Sequence, residues 1–349
     1  MMDVPRSDAC VFVAVIIAGA LFLPCIAAQT NEDFQRGMTE FRTGNYSAAA
    51  SSFARAEKIS PGSTDALLYK AKCLIHLEDF PGAEKSLRDY LIVHAASSDA
   101  EYLLGFVLHR QNRPAESLAA YTQAAALTPP TGDDLKIVGL DYVLLDDYPD
   151  AIKWLEKSTE FDASNKDAWY YLGRACYTKG RLGEARKAFQ RLLDLAPHDA
   201  RAENNLGLIL ETEGQPAAAM EAYRLAIAWQ EQSLYQSAQP YVNLGNLLME
   251  QGRTGEALTP LQKAVELAPD NAYCHVKLGA YYRKTGQLED AERELVRAAQ
   301  LAPADAAIHY QLGRLYKEIH AMDRAQAEFD RAAELETRAA GSKASQPDH

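Results

Sequence analysis

"YVNLGNLLMEQGRTGEALTPLQKAVELAPDN" occupies Tyr241–Asn271, and "HVKLGAYYRKTGQLEDAERELVRAAQLAPAD" occupies His275–Asp305. Few charged residues coincide between the two, yet Leu-Gly, the turn Gly, the following Ala and the closing Ala-Pro fall at the same spacing. Shared spacing without shared surface chemistry is the mark of a repeated structural unit, whose packing positions are constrained while its solvent positions drift. With the small residue of the Leu-Gly pair as a ruler, the unit recurs at Gly37, Ala71, Gly105, Gly139, Gly173, Gly207, Gly245, Gly279 and Gly313. Every step is 34 residues except Gly207 to Gly245, which is 38. Twelve residues after each ruler position stand Ala49, Ala83, Ser117, Ala151, Ala185, Ala219, Ala257, Ala291 and Ala325. Four further on stand Phe53, Leu87, Tyr121, Leu155, Phe189, Tyr223, Leu261, Leu295 and Phe329.

Spacing inside one unit gives its structure. In "WYYLGRAC", Trp169, Leu172, Gly173 and Cys176 recur at i, i+3, i+4 and i+7, one stripe of an α-helix. A break follows around Gly180, and a second stripe runs through Leu182, Ala185, Phe189 and Leu192 until Pro197 ends it. Each unit is therefore predicted to be two amphipathic helices. A single pair cannot bury both of its faces, so the pairs must stack into an all-α solenoid of antiparallel helix pairs.

The pattern of Trp, Leu-Gly, Tyr, Ala, Phe and Pro in a 34-residue period resembles the tetratricopeptide repeat. The resemblance runs over roughly residues 30–337, nearly all of the chain behind its first segment. It implies a right-handed superhelix whose first helices line a concave binding surface. Departures are local. Arg36 and Glu40 take the Leu and Tyr slots of the first unit, and Glu231 and Thr337 replace the closing Pro of the sixth and ninth.

A chain of 349 residues exceeds what one core usually serves, in line with a repeat architecture. Its net charge of −12 argues against nucleic acid as a partner, because that footprint is basic. Residues 1–28 carry an apolar run from Ala9 to Leu23, then Pro24 and a small-residue end at Ala27 and Ala28, the layout of a cleaved signal peptide. An uncleaved N-terminal anchor is the alternative and would be the chain's only membrane contact. Either reading places the rest in an exported location, periplasmic or secreted. Cys73, Cys176 and Cys274 are too few and too far apart for a disulfide framework or a zinc site, and are expected as free thiols. After Thr337 the pattern lapses, and residues 338–349 are expected to be a disordered tail.

No HExxH, GxSxG, GxGxxG or Walker-type loop occurs, so neither a catalytic residue, a metal site nor a cofactor is expected. His275 and His309 share the slot of Trp169 and are expected to pack there, while His76 and His109 read as surface residues. Asn45 in "NYS" lies in an interhelical turn, where Asn is favoured with or without glycosylation. Binding then falls to the first-helix residues opposite the core stripe. These include Tyr170, Arg174 and Tyr177, then Asn204 and Leu208, Asn246 and Met249, Arg283, and Arg314 with Lys317. Asn205 and Asn243 occupy one slot in consecutive units, and the resemblance implies that such an amide pairs with the backbone of an extended peptide. Asn204, Asn243 and Lys277 make only a fragment of the carboxylate clamp of chaperone-docking repeats. The four extra residues before Gly245 are expected to lengthen the sixth unit's second helix by about one turn, carrying Trp229 and Tyr235 into a candidate docking patch. The expected function is an extracytoplasmic scaffold or adaptor that holds a peptide segment or helix of a partner protein in its groove. The alternative is an assembly or regulatory subunit of an envelope secretion or polysaccharide-export complex, held by its convex face and ends.

Overall fold

The computed structural model describes residues 32–59, 65–231, 233 and 235–344, with side chains to residue 340. The leader at 1–28 lies outside the described residues. All regular structure among them is helical. One compact unit ends at Lys179. It holds α1 (32–42), α2 (Tyr46–Ile59), α3 (Ala66–His76), α4 (Phe80–Val93), α5 (Ser98–Arg110), α6 (Pro114–Leu127), α7 (Gly132–Leu144), α8 (Tyr148–Phe161) and α9 (Lys166–Thr178). A second begins at Gly180. It holds α10 (Leu182–Leu195), α11 (Ala200–Thr212), α12 (Pro216–Gln230), α13 (Gln239–Glu250), α14 (Thr254–Leu267), α15 (Ala272–Lys284), α16 (Leu288–Leu301), α17 (Ala306–Glu318) and α18 (Met322–Ala344). Odd-numbered helices are the first of each pair. Within each unit every helix packs on its neighbours in chain order.

Local chemistry starts and stops these helices. Ser97, Thr131, Asn165, Asp199, Asn271 and Asp305 accept hydrogen bonds from backbone N–H groups of the first turn that no helical carbonyl can reach. Asn45 does the same for α2, its Oδ1 lying 3.4 Å from the Ala48 nitrogen. Between first and second helix the chain reverses through a residue of positive φ seven places after each ruler position: Gly44, Glu78, Asn112, Asp146, Gly180, Gly214, Gly252, Gly286 and His320. Five of the nine are glycine, which carries no Cβ to clash in the left-handed region.

The ruler positions are points of closest approach between the helices of a pair. A Cβ built on Gly207 would lie 2.5 Å from the Tyr223 ring, and one on Gly105 would lie 2.7 Å from Tyr121. Gly139 and Gly245 meet Leu155 and Leu261 in the same way. Gly37, Gly279 and Gly313 likewise meet Phe53, Leu295 and Phe329, the large residue sixteen places on, so the sequence ruler measures a real contact. Where Ser117 replaces Ala in the twelfth-place slot, its hydroxyl donates to the Gly105 carbonyl at 2.8 Å, and the buried polar group is satisfied. Cys73, Cys176 and Cys274 are buried. Burial pushes the Cys73 thiol up to about 11.

Two expectations need correction. The insertion in the sixth repeat adds one residue to its second helix, not a turn: α12 spans 15 residues against 14 in α10 and α14. Gln230 ends it by clamping the loop, accepting from the Ser237 nitrogen and donating to the Ser237 carbonyl, both at 2.9 Å. The tail is also more ordered than its composition suggested. Helix α18 continues to Ala344, past Gly341, with Arg338 paired to Glu334 at i, i+4.

Gly207→Ala is expected to cost about 1–3 kcal/mol in urea unfolding, because Tyr223 is fully buried and has nowhere to retreat. Gly255→Ala in α14 meets open space and should leave stability unchanged or raise it by up to about 1 kcal/mol.

Candidate functional site

The first helices α11, α13 and α15 of the second unit lie side by side, α13 between the other two. Side chains tie the row together. Lys284 Nζ donates to the Met249 carbonyl at 2.8 Å, and Arg283 pairs with Glu318 of α17 at 3.5 Å. At its start, Asn243 Nδ2 of α13 donates to Asn204 Oδ1 of α11 at 2.8 Å, while Gln239 Nε2 donates to Asn243 Oδ1 at 2.9 Å. Three amides thus form a directed chain from Gln239 through Asn243 to Asn204. Asn204 and Asn243 are buried, so the bond between them is shielded from competing water, while Gln239 at the start of the chain is exposed. No described residue accepts from the last group of the chain, Asn204 Nδ2.

Sequence position alone paired Asn205 with Asn243. Neighbouring first helices instead meet through offset slots, and the ~100° step between adjacent helical residues turns Asn205 aside. Its Nδ2 donates to the Arg201 carbonyl of its own helix at 2.7 Å.

The remaining expected residues fall into distinct environments. Leu208 and Met249 are half-buried against the unit's core. Asn246 donates to Glu250 at 2.7 Å. Arg314 and Lys317 are exposed on α17 with no ion pair or hydrogen bond from their side chains among the described residues. In the first unit, Tyr170 and Tyr177 are half-buried, and the Arg174 guanidinium lies 5.9 Å from the Tyr170 ring centroid. Trp229 leans on His198 at 5.0 Å between centroids, and Tyr235 stands 90% exposed.

The position four before the ruler residue varies in chemistry, holding Asp33, Leu67, Glu101, Leu135, Trp169, Glu203, Tyr241, His275 and His309 in turn. Trp169 there donates its indole N–H to the carbonyl six residues back, Ala163, at 3.0 Å. His275 and His309 lie 3.0 and 3.1 Å from the corresponding carbonyls of Pro269 and Pro303. Their Nδ1 atoms lie 2.8 Å from Glu294 and 2.7 Å from Glu328. Both histidines are therefore packing residues that keep the Trp bond, as their slot predicted.

His109 is not the surface residue its sequence suggested. Its Nδ1 lies 2.7 Å from Oδ1 of Asp141, a fully buried carboxylate of α7, whose Oδ2 has no partner. The two are 32 residues apart, off the period, so no repeat spacing pointed to them.

Comparison with known proteins agrees with the geometry. Tetratricopeptide repeat family models match residues 40–105, 139–236 and 245–285. The chain belongs to the tetratricopeptide repeat family. Over 108 residues it is 32% identical to the type IV pilus assembly protein PilF of Pseudomonas aeruginosa, covering 31% of this chain and 40% of that protein. Over 239 residues it is 22% identical to anaphase-promoting complex subunit 3 of Schizosaccharomyces pombe, covering 68% of this chain and 35% of that one. It thus spans less than half the length of these curated relatives. A solved tetratricopeptide repeat protein from Parabacteroides merdae matches with a TM-score of 0.61 at 17% identity, over 75% of this chain and 98% of that one, which shows the fold alone. Tetratricopeptide repeat proteins bind protein or peptide partners and are in general scaffolds, and membership of the family supports a protein-interaction role for this chain.

Asn243→Ala strands the buried Asn204 carbonyl, and should lower unfolding stability by about 1–3 kcal/mol. Asn205→Ala removes only an exposed bond to its own helix and should stay within about 0.5 kcal/mol of wild type in the same denaturation measurement.

Proposed function

We propose that this tetratricopeptide scaffold holds an extended segment of a partner protein along the first-helix face of its second unit. The observation that carries the reading is the amide chain ending on Asn204 Nδ2. Held at one end by Gln239 and Asn243, that nitrogen is fixed in direction and left with unspent donor capacity. A backbone carbonyl of an extended peptide is the acceptor it suits, because such a peptide presents carbonyls at regular intervals whatever its sequence. Exposed Arg314 and Lys317 further along the row favour acidic side chains on the same segment.

The location we propose is extracytoplasmic, from the signal-like layout of residues 1–28. The 32% identity to a pilus assembly protein supports an envelope setting and also favours a second reading, a subunit of an envelope assembly held by its other faces.

One experiment separates the two. Asn204→Asp keeps the acceptor for Asn243 and removes the donor. Affinity capture from the host's envelope fraction is expected to recover one defined partner with wild type and with Asn205→Ala, and to lose it with Asn204→Asp, all three folded by circular dichroism. Retention by Asn204→Asp would move the interaction away from this face and favour the assembly reading. Sequencing the mature N-terminus checks export, a start just after Ala28 being the expected result.

A further inference from the structure

Three repeats place a carboxylate in the slot held by Trp169, and they treat it differently. In the first, Asp33 is buried at 5% exposure and answered by Arg55 of α2, whose Nε donates to Oδ1 at 3.1 Å. In the third, Glu101 of α5 is buried at 7% exposure and has no hydrogen bond or ion pair from its side chain among the described residues. In the sixth, Glu203 is half-buried, and burial raises its carboxyl above the usual range.

The place of Arg55, eighteen residues after the ruler, is taken in the third repeat by Gln123 of α6. Gln123 and Glu101 both line a groove of about 450 Å³ between α4, α5 and α6, but no bond joins them. Leu91, Ile92 and Leu104 form its apolar wall, and Ile92 at the lip is 81% exposed. The nearby cations are already committed. Arg88 lies 2.9 Å from Glu84, and Arg113 lies 2.7 Å from Glu84 and 2.6 Å from Glu116. Two cations against three carboxylates leave Glu101 as the excess charge. Burial pushes its carboxyl above the usual range, and the Arg88 charge, already held by Glu84, offsets only part of that cost.

We infer that this groove is a second binding site, separate from the first-helix face, that takes an arginine side chain of a partner protein flanked by aliphatic residues. The guanidinium completes at Glu101 the pair that Arg55 completes at Asp33, and the aliphatic flanks cover Ile92 and Leu91. Arginine fits because its planar fork can meet both carboxylate oxygens while its stem lies on the apolar wall.

The probe is a pair of peptides, acetyl-Leu-Ala-Arg-Ala-Leu-amide and its isosteric neutral analogue with citrulline for arginine, titrated calorimetrically against the whole chain. Wild type is expected to bind the arginine peptide about tenfold more tightly than the citrulline one, the size of a charge-assisted bond. Glu101→Gln should abolish that preference without lowering the melting temperature. Gln123→Arg rebuilds the first repeat's pair internally, so it should raise the melting temperature and block the arginine peptide. Ile92→Ser should weaken both peptides alike. Equal affinity for the two peptides, no binding of either, or a preference that survives Glu101→Gln or Gln123→Arg overturns the inference.

Discussion

The fold depends on one close approach, repeated along the chain, between a residue lacking a side chain on the first helix and a large residue sixteen places later on the second. At Gly207 there is no room even for a methyl group beside Tyr223. The absence of a Cβ lets the two backbones draw together, and the ring or Leu opposite fills the space that a wider separation would leave empty. Phe53, Leu87, Leu155, Phe189, Tyr223 and Leu261 are all essentially fully buried, each removing apolar area that contributes about 1.5–3 kcal/mol. Because every repeat meets only its neighbours, this contact must be made afresh in each one. Ala71 marks its tolerance: opposite Leu87, a methyl is accommodated and both residues remain at zero exposure.

That constraint explains why the architecture was legible and the lateral detail was not. Ruler, twelfth and sixteenth positions serve the same contact in all repeats, so they keep a phase that a sequence displays. The positive-φ turn seven residues after the ruler keeps it too, although Glu78, Asn112, Asp146 and His320 conceal it by not being glycine. Side chains that reach across to the next first helix follow a different geometry. Asn204 meets Asn243 and His109 meets Asp141 through offset slots set by how adjacent helices are staggered. No single-repeat period encodes that stagger, so Asn205 looked equivalent to Asn243 and was not its partner. The sixth-repeat insertion failed for a related reason: its length was countable, but Gln230 closing the loop on Ser237 was not.

Candidate binding residues carry the same lesson from the other side. Amides on one face of α11 and α13 could be singled out from spacing alone, since alternate faces of a helix follow from it. Whether such an amide is spent internally depends on a contact. Asn243 is spent twice, on Gln239 and Asn204, and Asn205 once on its own helix, leaving Asn204 as the terminal donor. Function can then rest on a residue that is almost entirely buried, because burial and the neighbouring amides fix its direction.

The slot four before the ruler shows how a repeat protein acquires sites without altering its frame. Trp169, His275 and His309 fill the space and reach the carbonyl six residues earlier. An ionised carboxylate cannot make that bond, because it has no proton to donate. Placing one there therefore buries a charge. Where the second helix supplies Arg55, the charge is neutralised within the repeat. Where it supplies Gln123, the fold keeps an unsatisfied acid, although a hydrophobic residue in that slot would be the more stable choice. Leu67 and Leu135 occupy the same slot in the second and fourth repeats, so the frame accepts the apolar solution on either side of Glu101. The charge at Glu101 is thus a local departure that the ruler contact neither requires nor prevents, and its stability cost is offset once a cation arrives from outside the chain.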